Sequence, residues 1–62
     1  MTLPVPSELA AVLDTDPQSK ERFESIPPAH RQEYINWVAE AKRADTRRRR
    51  AERVPGMLRH EV

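Results

Sequence analysis

The chain has 62 residues, 37% hydrophobic and 34% charged, with no cysteine, two histidines and a formal net charge of +1. That length allows one domain that buries only about 60% of the surface its unfolded form exposes, with no disulfide and no four-ligand structural zinc site to reinforce it. A mean hydropathy of −0.85 and a longest apolar run confined to residues 9–13 exclude a membrane span, which needs about 20 apolar residues in succession.

Residues 1–6 hold Pro4 and Pro6 and no positive charge, and no long apolar stretch follows them. This is not a secretory signal, so a cytoplasmic chain with an N-terminal arm is expected. The lack of cysteine agrees with a reducing compartment. No period-two alternation, Asn-Gly or Asp-Gly turn occurs, and Gly56 is the one glycine, so the pattern predicts an all-α fold of three to four short helices in a single domain.

Ser7 is placed to cap a first helix, with Glu8 in its first turn and Leu9, Val12 and Leu13 along one face. Asp16 and Pro17 supply an N-cap and a first helical residue for a second helix over residues 17–25, held by docking of Phe23. Pro27 and Pro28 push Ile26 into an extended conformation and start a third helix over residues 28–44. At about 100° per residue this helix is amphipathic and the longest, with Tyr34, Trp37, Val38 and Ala41 inward and Ile35 on a flank. His30 shares that face and reads as a packing or hydrogen-bonding residue. Asp45 and Thr46 offer a cap for a fourth helix whose stripe is Ala51, Val54 and Leu58. Pro55-Gly56 should kink or end it near Val54, leaving residues 57–62 as a last turn or frayed tail that includes His60.

The charge is uneven. Residues 1–30 carry two bases against five acids, a net −3, and residues 31–62 carry nine bases against five acids, a net +4. The halves should attract, with acids and bases paired across the core. Helical geometry points Arg47 inward, with Arg50 at the edge of the stripe, so both are expected to be structural. Arg47 should find helix-terminal carbonyls or a carboxylate from Asp14, Glu33, Glu40 or Asp45. As a buried pair it would cost about 3 to 5 kcal/mol to break. Lys42, Arg43, Arg48, Arg49 and Arg53 remain as an exposed basic patch for an anionic partner.

Tyr34, Trp37, Val38, Ala41-Lys42, Thr46-Arg47 and Arg50, preceded by Pro6-Ser7-Glu8-Leu9, Asp16-Pro17 and Phe23, resemble the helical domain of the bacteriocin-protection, YdeI/OmpD-associated family. The most specific part is the A-K-x-x-x-T-R-x-x-R spacing from Ala41 to Arg50. The resemblance covers nearly the whole chain. It implies no catalytic residues and an association with envelope stress and tolerance of cationic bacteriocins or peptides, while the inward geometry accounts for Thr46, Arg47 and Arg50 as part of the fold. Family members often carry a preceding domain, whereas these 62 residues read as the helical segment alone, and Pro55-Gly56 interrupts what is a continuous last helix elsewhere.

Catalytic constellations are missing from the sequence: there is no P-loop, no telling carboxylate pair and no Ser-His-Asp set. No metal or cofactor is expected. The reading is a monomeric, non-enzymatic interaction domain whose basic edge meets an anionic or acidic partner. The alternative is a small nucleic-acid-binding protein using Lys42, Arg43, Arg48, Arg49 and Arg53 on backbone phosphates. Against it stand the overall +1, the missing glycine turn of a helix-turn-helix, and the assignment of Trp37 and Tyr34 to the core.

Overall fold

The computed structural model describes residues 4–60. Four helices follow in order: α1 (Ser7–Asp14), α2 (Pro17–Ser25), α3 (Pro28–Ala39) and α4 (Ala44–Arg59). No strand occurs among the described residues. The fold is the expected all-α bundle, organised around α4, which packs against each of the other three helices. The part of the N-terminal arm at residues 1–3, and residues 61–62 of the expected tail, lie outside the described residues.

Local chemistry sets the starts of α2 and α3. The Asp16 carboxylate accepts the Ser19 backbone N–H at 3.3 Å and the Ser19 hydroxyl at 2.7 Å, and Pro17 takes the first helical position. Ile26 is extended at φ −78°, ψ 157°, and α3 opens on Pro28. Phe23 is buried as expected, with Tyr34 tilted against it at 6.5 Å between ring centroids. The start of α1 differs from expectation. Pro6 occupies the cap position and Ser7 is already helical, with its hydroxyl directed to the Glu8 carboxylate at 3.5 Å.

The core joins Leu9 and Leu13 of α1, Phe23 of α2, Ile35 and Val38 of α3, and Ala51, Val54 and Leu58 of α4. On α3 this corrects the predicted phase. Ile35, expected on a flank, is buried, whereas Tyr34 and Trp37 are only partly so. The buried line is rotated by roughly 70° from the one drawn through Tyr34. His30 is exposed and lies outside the buried core. The third helix also ends at Ala39 and not near residue 44, and α4, at 16 residues, is the longest.

At Pro55, where a kink or an end was expected, the end is excluded. α4 does not end at Val54 but runs through Pro55 and Gly56 to Arg59, with His60 as its cap. A proline inside a helix removes one backbone bond and costs about 3 kcal/mol relative to alanine. Continuing the helix puts Leu58, 1% exposed, on the same stripe as the fully buried Ala51 and Val54. Burial of one leucine side chain recovers about 1.5 to 3 kcal/mol, comparable to that penalty. Residues 57–59 therefore form a last helical turn, one of the two expected outcomes, and not a frayed tail.

Gly56 has no structural requirement at this position. Its φ is not positive, and a Cβ built there meets no atom within 4 Å. Gly56→Ala is expected to stabilise the fold by about 0.5 to 1 kcal/mol, through lost freedom of the unfolded chain and better helix propensity. A thermal melt by circular dichroism checks this; an unchanged or lower midpoint would show that α4 is not helical there.

Candidate functional site

The arginines divide by what their guanidinium groups touch. Arg47, on the inward line of α4, donates through Nε to Glu8 Oε2 at 3.1 Å and through Nη1 to the carbonyls of Ala41 at 3.0 Å and Lys42 at 3.2 Å. It ties the start of α1 to the loop between α3 and α4. The expected capture of carbonyls is present, but the acid is Glu8 and none of Asp14, Glu33, Glu40 or Asp45. Nor is the pair deeply buried, since the side chains of Arg47 and Glu8 are 29% and 20% exposed. Glu8 is held below its ordinary pKa of 4.5 by a hydrogen bond from its own backbone N–H and by the Arg47 guanidinium.

Arg50 donates through Nη1 to the Trp37 carbonyl at 2.7 Å. That oxygen is one of the last four in α3, which have no intrahelical donor, and α3 has no basic residue in its own last turn. The cation arrives instead from α4. Arg31, which the sequence reading assigned no role, does the same for α2: its Nη1 donates to the carbonyls of Glu24 at 3.1 Å and Ile26 at 2.8 Å. Arg31 and Arg50 thus close the carboxyl ends of two helices, and Arg47 takes the carbonyls of the loop that follows α3. The signal that could have found Arg31 is its distance from the end of α2, about one turn past Pro27-Pro28.

The pairing of the acidic front half with the basic back half is narrower than expected. Glu8 with Arg47 joins the halves; Lys20 with Asp14 at 3.6 Å and Arg43 with Asp45 at 3.4 Å are local. Arg59 adds a longer-range attraction on Asp16, whose pKa is lowered chiefly by its hydrogen bonds from the Ser19 hydroxyl and backbone N–H. Every buried side-chain nitrogen or oxygen among the described residues has a hydrogen-bond partner.

The residues of the expected basic patch occupy different places. Lys42 and Arg43 are exposed in the loop before α4, and Arg43 takes the cap position of that helix, so α4 starts two residues before the predicted Thr46. Arg48 lines a shallow groove of about 450 Å3 between α1 and α4, together with Glu8, Ala11, Val12 and Glu52. Arg49 is exposed on the side of α4 away from the core. Arg53 lies over the Trp37 ring, 5.7 Å from its centroid, and Arg50 lies over the same ring at 5.6 Å. Arg48 and Arg53 therefore leave α4 about 140° apart, one toward α1 and the other toward α3. Tyr34, Trp37, Val38 and Thr46 are all at least partly buried, and Val38 is fully so. Among the described residues no helix is long and apolar enough to cross a membrane.

Residues 2–60 match the family described as Bacteriocin-protection, YdeI or OmpD-Associated. No curated protein and no solved structure matches the chain.

Proposed function

The chain belongs to the bacteriocin-protection, YdeI or OmpD-associated family, and we propose that within it this protein is a monomeric, non-enzymatic interaction module of the cytoplasm. Its basic side, meaning the exposed cations spread over the α3–α4 loop and α4 at Lys42, Arg43, Arg48, Arg49 and Arg53, meets an acidic protein partner, in the service of envelope stress or tolerance of cationic peptides. One observation carries the reading. Arg31, Arg47 and Arg50 are engaged by backbone carbonyls, whereas Arg48, Arg49 and Arg53 are exposed and form no ion pair among the described residues. Exposed cations that form no ion pair add little to the stability of the fold and stay available for an external anion.

Nucleic acid is the less favoured anion. Base stacking needs a free aromatic face. The Trp37 ring is already covered by two guanidinium groups, Tyr34 packs on Phe23, and the large exposed apolar side chains are Val5 and Met57. The test is affinity capture from the native cell with the wild type beside a triple variant, Arg48→Gln, Arg49→Gln and Arg53→Gln, whose folding is verified by circular dichroism. An acidic protein retained by the wild type and lost by the variant is the expected result. Partners common to both would remove the basic side from the function. Random duplex bound more tightly than about 1 μM at low salt, with a steep loss toward physiological salt, would favour the nucleic-acid reading instead.

A further inference from the structure

The two guanidinium groups over Trp37 are an unusual local arrangement. Arg50 and Arg53 are three residues apart on α4, which makes them neighbours on its surface, and like charges at that spacing repel. Both are nevertheless drawn to one indole ring, at 5.6 and 5.7 Å from its centroid. The negative face of the ring offsets part of that repulsion. Arg50 is fixed further by its 2.7 Å bond to the Trp37 carbonyl, which uses one of its five N–H donors and leaves the others for a ligand. Arg53 has no carboxylate partner among the described residues. The result is a pair of planar donors gathered on one ring, neither of them in an ion pair with a carboxylate among the described residues.

Two neighbours narrow what fits. Met57, four residues after Arg53 and on the same flank of α4, is one of the large apolar side chains left exposed. Glu33 on α3 and Glu40, which caps that helix, stand one turn to either side of Trp37, and both are exposed. The cationic spot is therefore short and bounded by acids, unlike the continuous basic track that a nucleic-acid backbone requires. Arginine and tryptophan are also the residue types that most often dominate protein–protein contacts, and methionine is enriched there.

We propose that Trp37, Arg50 and Arg53 form a preorganised clamp for the carboxylates of an acidic amphipathic protein segment, with Met57 as the contact for an apolar side chain of that segment. The carboxylates accept from the two guanidinium groups and relieve their repulsion, while the indole holds both cations in place before the partner arrives. Rigid donors lose less freedom on binding than the other exposed arginines do, so the clamp supplies specificity within the basic side. The proposal rests on the interaction-module reading and names the part of the basic side that recognises the partner.

Trp37 is the only tryptophan of the chain, so its emission reports on the clamp itself. The probe is an amphipathic helical peptide of glutamate and leucine, titrated into the full chain at low salt with emission and calorimetry read in parallel. The wild type is expected to show a saturable change in Trp37 emission. Arg53→Gln should weaken the calorimetric Kd roughly tenfold, the loss of one charge-assisted contact, and Arg49→Gln by less than about twofold. Met57→Gln should weaken the same peptide but not poly-glutamate, which has no apolar side to offer. Equal weakening by Arg53→Gln and Arg49→Gln would overturn the clamp and leave the broader basic side standing. No binding of the peptide or of poly-glutamate to the wild type would overturn both. Duplex DNA bound more tightly than the peptide at the same salt would replace the acidic partner with nucleic acid.

Discussion

Leu58→Ala is expected to leave a large fraction of the molecules unfolded at 25 °C, whereas Met57→Ala, one residue earlier, should melt within a few degrees of the wild type. Leu58 is 1% exposed and packs into the cluster that includes Leu9, Val38 and Val54. Truncating such a leucine costs about 2 to 5 kcal/mol, the lost transfer energy plus a cavity that a rigid core cannot fully close. A domain of 62 residues has only roughly 3 to 9 kcal/mol in total at the usual per-residue stability. Met57 is 37% exposed, and substitutions at such sites stay near ±0.5 kcal/mol. Urea or thermal melts of the two variants decide the matter. Equal midpoints would return residues 57–59 to the frayed tail suggested by Pro55-Gly56, and with it the original placement of the helix end.

Arg47→Ala should lower the melting temperature by roughly 10 to 20 °C, equivalent to about 2 to 3 kcal/mol in so small a domain, while Arg49→Ala changes it by less than a few degrees. The variant loses one bond to the Glu8 carboxylate and two to the carbonyls of Ala41 and Lys42. The figure is smaller than the 3 to 5 kcal/mol expected for a buried ion pair, because both partners keep contact with water and their charges are not stranded when the pair breaks. Acid gives a second reading of the same contact. Glu8 has a folded pKa below its ordinary 4.5, so its share of the stability is present above that value and is lost as the pH falls through the lower folded value. The gap between wild type and Arg47→Ala should therefore narrow in acid. It should not close, since the carbonyl contacts do not titrate. A gap independent of pH down to unfolding would remove Glu8 from the account, and equal melting of the Arg47 and Arg49 variants would show that the helical phase of α4 is wrong.

What could be read in the chain was chemistry acting within one turn. Asp16 followed by Pro17, and the Pro27-Pro28 pair, place helix starts through a side-chain acceptor and a restricted φ, and both starts are where the sequence puts them. The stripe of Ala51, Val54 and Leu58, the inward Arg47 and the docking of Phe23 follow from helical periodicity and are also observed. The candidate site was less legible. Arg53 reads as one more outward cation until Trp37 is seen beneath it, and the ring is there because α3 is turned to bury Ile35 and Val38.

The sequence by itself determined the helical class, the capped starts of α2 and α3, the buried stripe of α4 and an arginine directed into the bundle, since each depends on neighbours within a few residues. The tertiary structure alone decided where α3 stops, whether α4 survives Pro55, and which acid meets Arg47. No proline or glycine lies between Ala39 and Ala44 to end α3. Where it ends, Arg50 and Arg47, arriving from α4, take the carbonyls of Trp37, Ala41 and Lys42. α4 continues because Leu58 has a core to enter, and Glu8 is the partner because α1 packs beside Arg47. Each of these outcomes sets a local preference of a few kcal/mol against contacts from a distant part of the chain, and no window of sequence contains both sides of that comparison.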